Sequence, residues 1–265
     1  MDQSLDGVQT VIHQLQESLE KFRNFRHVLL AIDFVNAFNA RDRSRIAELL
    51  FSRPEWAKVH RLFNFIYKTT SDLHLPDGRI IKSRNGLLQG EVLASYAYSL
   101  SVDHVYTQVA ASGSPNNTSK AILDDLNIVD SFDEIKKCWS TLTRLCAEEG
   151  IEISKSKTKI LWPFSASDHD NPMPEEVVTW CNEQGLAAPM IGAMPMLGGA
   201  VGLDEAKRAA ITLEKVDSME QKSYSLFRSE TVPIQTLLHL LRLSGVSLLS
   251  HLPRHLTPLL LVPTS

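Results

Sequence analysis

His27-Val-Leu-Leu-Ala-Ile-Asp33-Phe is a short, unbroken apolar run that ends on a carboxylate. Its length and flanks suit a strand buried on both faces, so the chain must build a layered core around it. The material for that core is present: 265 residues, 43% hydrophobic and 22% charged, with only 12 Gly and 12 Pro. This composition excludes disordered and collagen-like chains and is enough for one large domain or two small ones. A formal net charge of -4 supplies no global basic field, so a nucleic-acid partner has to be held by a local patch or through metal.

Three cysteines, Cys138, Cys146 and Cys181, are odd in number and lack the close pairing of zinc sites. They read as reduced thiols of an intracellular protein, nuclear or cytoplasmic. The N-terminus has no basic and apolar signal segment and no stretch approaches a membrane span, so secretion and membrane insertion are not expected. The sequons at Asn116 and Asn117 then read as chance in a polar loop.

Periodicity orders the rest. Val8, Val11, Ile12, Leu15, Leu19 and Phe22 predict an amphipathic helix over residues 7 to about 24, and Trp56, Val59, Leu62, Phe63 and Ile66 another, opened by Pro54. Two alternating runs around Pro76-Asp77-Gly78 predict a β-hairpin. Small and apolar residues from Val92 to about Ala111 predict a long buried helix, and Ala121 to Val129 a second hairpin with carboxylates at its tip. A helix over 131 to 149 stops at Gly150 and is followed by a strand-like stretch to Trp162, then by a loop over 165–176. Met190 to Gly202 is rich in Gly, Met and Pro, and residues 203 to about 250 read as helical, with Leu237, Leu238, Leu240, Leu241 and Leu243 on several faces. The expected fold is α+β, an antiparallel sheet with helices packed on one face, divided into domains at 1–202 and 203–265.

Asp33 ends the buried strand, and Asp124 with Asp125 sits at the hairpin tip 91 residues later. If the two strands are neighbours, up to three carboxylates converge at one edge. Their repulsion is unfavourable unless one is protonated or a hard divalent cation enters. Taken alone, Asp124-Asp125 reads more readily as a solvated turn.

The order of motifs decides between these readings. Asp33-Phe-Val-Asn-Ala-Phe38, Gly86-Leu-Leu-Gln89-Gly90, Ile122-Leu-Asp-Asp125, Gly150-Ile-Glu-Ile-Ser-Lys-Ser-Lys157 and Leu197-Gly-Gly-Ala-Val-Gly202 follow one another. Together they resemble the successive palm motifs of reverse transcriptases, most closely those of non-long-terminal-repeat retrotransposons, over roughly residues 27 to 202. The helices beyond resemble the start of the thumb. The resemblance implies an RNA-directed DNA polymerase using an RNA template, a DNA primer and a dNTP, with two Mg²⁺ ions for which Mn²⁺ can substitute.

Carried over residue by residue, it makes Asp33, Asp124 and Asp125 the metal-holding catalytic carboxylates, with the Phe34 backbone carbonyl a further ligand. Phe38 becomes the ring that excludes a 2′-hydroxyl, although a core phenylalanine is the alternative. Gln89 and Gly90 become neighbours of the nucleotide, Gly90 letting backbone approach closely or capping a helix. Lys157 becomes the lysine at the nucleotide phosphates; by itself it reads as one exposed lysine among Lys155, Lys157 and Lys159. Arg41, Arg43, Arg45, Lys82 and Arg84 flank the motifs and are candidates for phosphate contact or for solvated charge.

The chain departs from the family at Ile122, where an aromatic is usual, at Glu91-Val-Leu-Ala-Ser95, which lacks two prolines and a hydroxyl, and at Ser154, where Asn is usual. These changes spare the metal ligands and touch the nucleotide pocket. Only 32 residues precede Asp33, so the fingers are expected to be largely missing and polymerisation by this chain weak. Two rivals follow: another palm-type nucleotidyltransferase or cyclase, and a decayed or co-opted retroelement fragment that binds nucleic acid or protein without turnover.

Overall fold

A computed structural model describes residues 7–52, 54–88 and 90–227, together with positions 233, 235 and 236. The described residues form two compact units, one of residues 30–159 and 184–187 and the other of 7–29, 160–183 and 188 onward. Gly202, where the sequence suggests a boundary, falls inside the second unit. Gln89 and the leucine-dense stretch from Leu237 lie outside the described residues.

The first unit carries the apolar run as strand β1 (Val28–Ile32), which crosses into it after Leu29. Hairpin β4 (Thr118–Ile122) and β5 (Asp125–Asp130) pairs antiparallel, and β5 lies beside β1. Leu126 to Asp130 are all buried, the polar Asn127 and Asp130 included. Four helices accompany the sheet: α2 (Arg43–Phe51), α3 (Ala57–Tyr67), α4 (Val92–Ser112) and α5 (Phe132–Glu148). A separate hairpin, β2 (Ser71–His74) with β3 (Ile80–Ser83), closes on the Pro76-Asp77-Gly78 turn.

Helix α5 follows the rules that predicted it. Ile135, Cys138, Trp139, Leu142, Leu145 and Cys146 recur at helical spacing and are buried, while Asp133 and Glu134 lie in the first turn where the helix dipole favours them. It ends at Gly150, where the Ile151 N–H returns to the Cys146 carbonyl at 2.8 Å. In α4, Ala94, Ala97, Tyr98, Ser101, Val102, Val105 and Val109 face inward. At about 1.5–3 kcal/mol for each fully buried large apolar side chain, α4 and α5 supply a substantial part of this unit's core, alongside β1 and β5.

The second unit holds α1 (Gly7–Lys21), most of β6 (Lys159–Trp162), α6 (Glu175–Gln184), β7 (Met190–Ile191), hairpin β8 (Ala193–Met196) with β9 (Gly199–Gly202), and α7 (Glu205–Phe227). Strand β7 runs parallel to β6, and the β8–β9 turn is Leu197-Gly198. Two expectations need correction. Residues 165–176 are not loop throughout: α6 begins at Glu175, directly after Pro174, with Glu176 in its first turn. The strand-like stretch after Gly150 is irregular up to Thr158, and only Lys159–Trp162 is strand. Among the described residues no helix is long and apolar enough to cross a membrane.

Candidate functional site

Every described residue that the motifs single out for chemistry lies in the first unit. Asp33 follows β1, and its backbone is held by the segment after α5. Phe34 makes an antiparallel bridge to Ile153, the Ser154 N–H donates to the Asp33 carbonyl at 2.9 Å, and the Val35 N–H donates to the Glu152 carbonyl at 2.9 Å. The Asp33 N–H points to the Thr158 hydroxyl at 3.4 Å. Lys157 N–H and Thr158 N–H both return to the Ser154 carbonyl, a tight turn that carries the Lys157 ammonium to 3.7 Å from Asp33 Oδ1.

The β4–β5 hairpin turns on two residues, Leu123 and Asp124, between the paired Ile122 and Asp125. Leu123 adopts φ 54°, a conformation leucine avoids. The Tyr106 phenol on α4 donates to the Leu123 carbonyl at 3.1 Å. Asp125 has its pKa raised, first by burial and then by the charges of Asp124 and Asp33. Asp33 and Asp125, 92 residues apart in the chain, therefore act on one another in the fold.

This donor set suits a divalent cation: hard carboxylate oxygens whose mutual repulsion such an ion relieves. Even so, among the described residues no three His, Cys, Asp or Glu side chains are gathered as closely as a ready-made metal site.

Beside the carboxylates lies an aromatic floor. Phe38 is buried and stacks on Tyr98 with ring centroids 4.7 Å apart; Phe34, also buried, stacks on Tyr106 at 6.1 Å. The Tyr98 and Tyr106 phenols act on one another. Burial is the first cause that raises both phenol pKa values, with Asp124 adding to it, and Tyr98 is pushed up to about 12.

The loop before α4 is clamped from several sides. The Leu87 N–H donates to the Phe38 carbonyl at 2.8 Å and the Gly86 N–H to the Arg41 carbonyl at 3.0 Å. The Tyr67 hydroxyl accepts from the Leu88 N–H at 3.2 Å and donates to Glu91. Gly90 has φ 90° with open space where a side chain would stand, and at Gly86 the backbone of Asn39 packs directly against the glycine.

Two flanking arginines are not available to phosphate. Arg41 is buried and donates to the Ser101 hydroxyl and carbonyl, both at 3.1 Å. Arg43 is buried and donates to the Gly86 carbonyl at 2.7 Å and to the Ser83 carbonyl and hydroxyl at 3.1 and 2.8 Å. Lys82 pairs with Asp72 at 2.6 Å and Arg45 with Glu149, whereas Arg84 is exposed. Sequence reasoning missed Tyr67, Tyr98, Tyr106 and Thr158. The one available signal was Tyr98 and Tyr106, eight residues apart and so near one face of α4.

No protein-family model matches the chain. The retrotransposable element SLACS 132 kDa protein of Trypanosoma brucei gambiense is 24% identical over 154 residues, which cover 56% of this chain and 13% of that protein. Apo telomerase from Candida tropicalis superposes with a TM-score of 0.50 at 13% identity, over 74% of this chain and 34% of the telomerase. The chain is thus similar in part of its sequence to a retrotransposable-element protein and shares a fold with a stretch of the telomerase. It spans about an eighth of the curated relative's length and about a third of the telomerase chain. The fold shared with the telomerase agrees with the α+β architecture read from the sequence, and the candidate site is assembled in chain order by β1, α4, the β4–β5 hairpin and the turn at Lys157.

Proposed function

We propose that this chain is the palm of an RNA-directed DNA polymerase, transferring a nucleotide from a dNTP to a primer 3′-hydroxyl on an RNA template. The observation that carries the reading is the electrostatic meeting of Asp125 with Asp124 and Asp33. In the reaction the primer 3′-hydroxyl gives up its proton to water, its oxygen bonds to the α-phosphorus, the α–β phosphoanhydride breaks, and pyrophosphate leaves.

Asp33 and Asp124, with Asp125 beside them, are the residues that would hold Mg²⁺ or Mn²⁺, and the Phe34 carbonyl is a candidate further ligand. Bound there, such ions make the hydroxyl more acidic and offset the charge of the leaving pyrophosphate. The protein's own contribution is to fix the two carboxylate segments, to present Lys157 to a phosphate beside Asp33, and to floor the sugar position with the Phe38 ring on Tyr98. Gly90, open and exposed, leaves room for nucleotide.

A second reading, a fold kept for binding without turnover, is favoured by the looseness of the acidic cluster and by the commitment of Arg41 and Arg43 to carbonyls. Calorimetric titration of Mn²⁺ with a dNTP present, into wild type, Asp33→Asn and Asp124→Asn, separates the two. Binding lost in both variants supports the polymerase site. Equal binding by all three, or by none, favours the second reading.

A further inference from the structure

Asp33 and Asp124 come from distant parts of the chain, and Tyr106 touches both neighbourhoods. Its ring stacks on Phe34, the residue after Asp33, and its hydroxyl donates to the carbonyl of Leu123, the residue before Asp124. We infer that Tyr106 is a positioning residue that holds the Asp124 turn in register with Asp33. The inference rests on the carboxylate site proposed above.

The turn needs such a hold. A leucine at φ 54° costs about 1–2 kcal/mol relative to ordinary backbone, so a two-residue turn built on it tends to relax toward other geometries. A peptide that relaxes swings its carbonyl, and with it the direction in which the next residue leaves the chain. The Tyr106 hydrogen bond opposes that swing at the carbonyl itself.

Proton bookkeeping sets the direction of the chain of hydroxyls. A carbonyl can only accept, so the single Tyr106 proton goes to Leu123, and the Tyr98 phenol lies next to the Tyr106 oxygen. Tyr98 in turn stacks on Phe38. The series Phe38, Tyr98, Tyr106, Leu123 therefore joins the aromatic floor to the acidic turn.

The test uses Tyr106→Phe, which keeps the ring and its stack, and Leu123→Gly, which removes the reason for the hold. Mn²⁺ affinity by calorimetry and amide hydrogen exchange at residues 123–125 are measured for wild type, both single variants and the double, with Asp124→Asn as reference. Tyr106→Phe is expected to weaken Mn²⁺ binding about fivefold and to speed exchange at the turn by a similar factor, the weight of one neutral hydrogen bond. In the Leu123→Gly background the same change is expected to do less than about twofold, because no strain is left to oppose.

Equal effects in both backgrounds would mean that Tyr106 supports the fold at large and would overturn the inference. So would wild-type affinity and exchange in Tyr106→Phe. If Asp124→Asn binds Mn²⁺ like wild type, the carboxylate reading fails, while the exchange data still decide whether Tyr106 holds the turn.

Discussion

Gly86 rests directly on the backbone of Asn39: a methyl group in place of its α-hydrogen would stand 2.3 Å from the Asn39 carbonyl oxygen. Gly86 also has φ 77°, so an L side chain is excluded by conformation as well as by space. Because the neighbouring atoms are backbone, they cannot move aside cheaply. Gly86→Ala is expected to destabilise the protein by about 2–4 kcal/mol, combining backbone strain and overpacking. Urea denaturation of the purified protein reads this directly, and a loss below about 1 kcal/mol would show that the loop rearranges freely.

Arg43 braces the same loop with a buried guanidinium shared among Ser83 and Gly86, above the Tyr67 ring at 5.1 Å. A lysine can neither reach three acceptors from one planar group nor lie flat on the ring. Arg43→Lys is therefore expected to cost about 2–3 kcal/mol, as charged hydrogen bonds do. Arg84→Lys, at an exposed position in the same segment, should stay within about 0.5 kcal/mol. Matched denaturation curves compare the two; equal losses would contradict a bracing role for Arg43.

These two residues show what the sequence could convey. Periodicity exposed α4, α5 and both hairpins of the first unit, because those elements bury one face and local chemistry sets their ends. It did not expose the partners of Arg43 or the rest of Gly86 on Asn39, since both depend on where separate loops meet. The acidic cluster was legible because motif order supplied the long-range pairing that composition lacks. Tyr106 was not, because its partner is the carbonyl of Leu123, and any residue type supplies a carbonyl. Helix α6 was missed for a different reason: Pro174 with Glu175 and Glu176 was taken for loop although it is chemistry that starts a helix.

Asp125 gives a pH prediction. Its folded pKa lies above the ordinary value of 3.8, so the neutral form is favoured on folding. Its contribution to stability is complete below that ordinary value and is lost as pH rises through the raised one. Asp125→Asn removes the ionisation. The melting temperature of Asp125→Asn minus that of wild type is expected to increase as pH rises from about 3.5 to neutrality without divalent ions, because wild type loses this contribution while the amide does not titrate. Scanning calorimetry at several pH values checks it; a difference that shrinks over that range would contradict the raised pKa.

Lys157 separates stability from function. Its ammonium is 71% exposed and stands 3.7 Å from Asp33, itself 37% exposed, so the pair contributes little to folding. Lys157→Gln is expected to change unfolding free energy by less than about 0.5 kcal/mol. The same positive charge competes with a cation for Asp33, so the variant should bind Mn²⁺ about two- to fivefold more tightly in the absence of nucleotide. With a dNTP present the ordering should reverse, because the triphosphate loses a cationic partner. Both effects should shrink at about 0.5 M salt, where the screening length falls well below its low-salt value. Calorimetric titration with and without dNTP measures all of this in one series, and tighter Mn²⁺ binding under both conditions would remove Lys157 from the phosphate site.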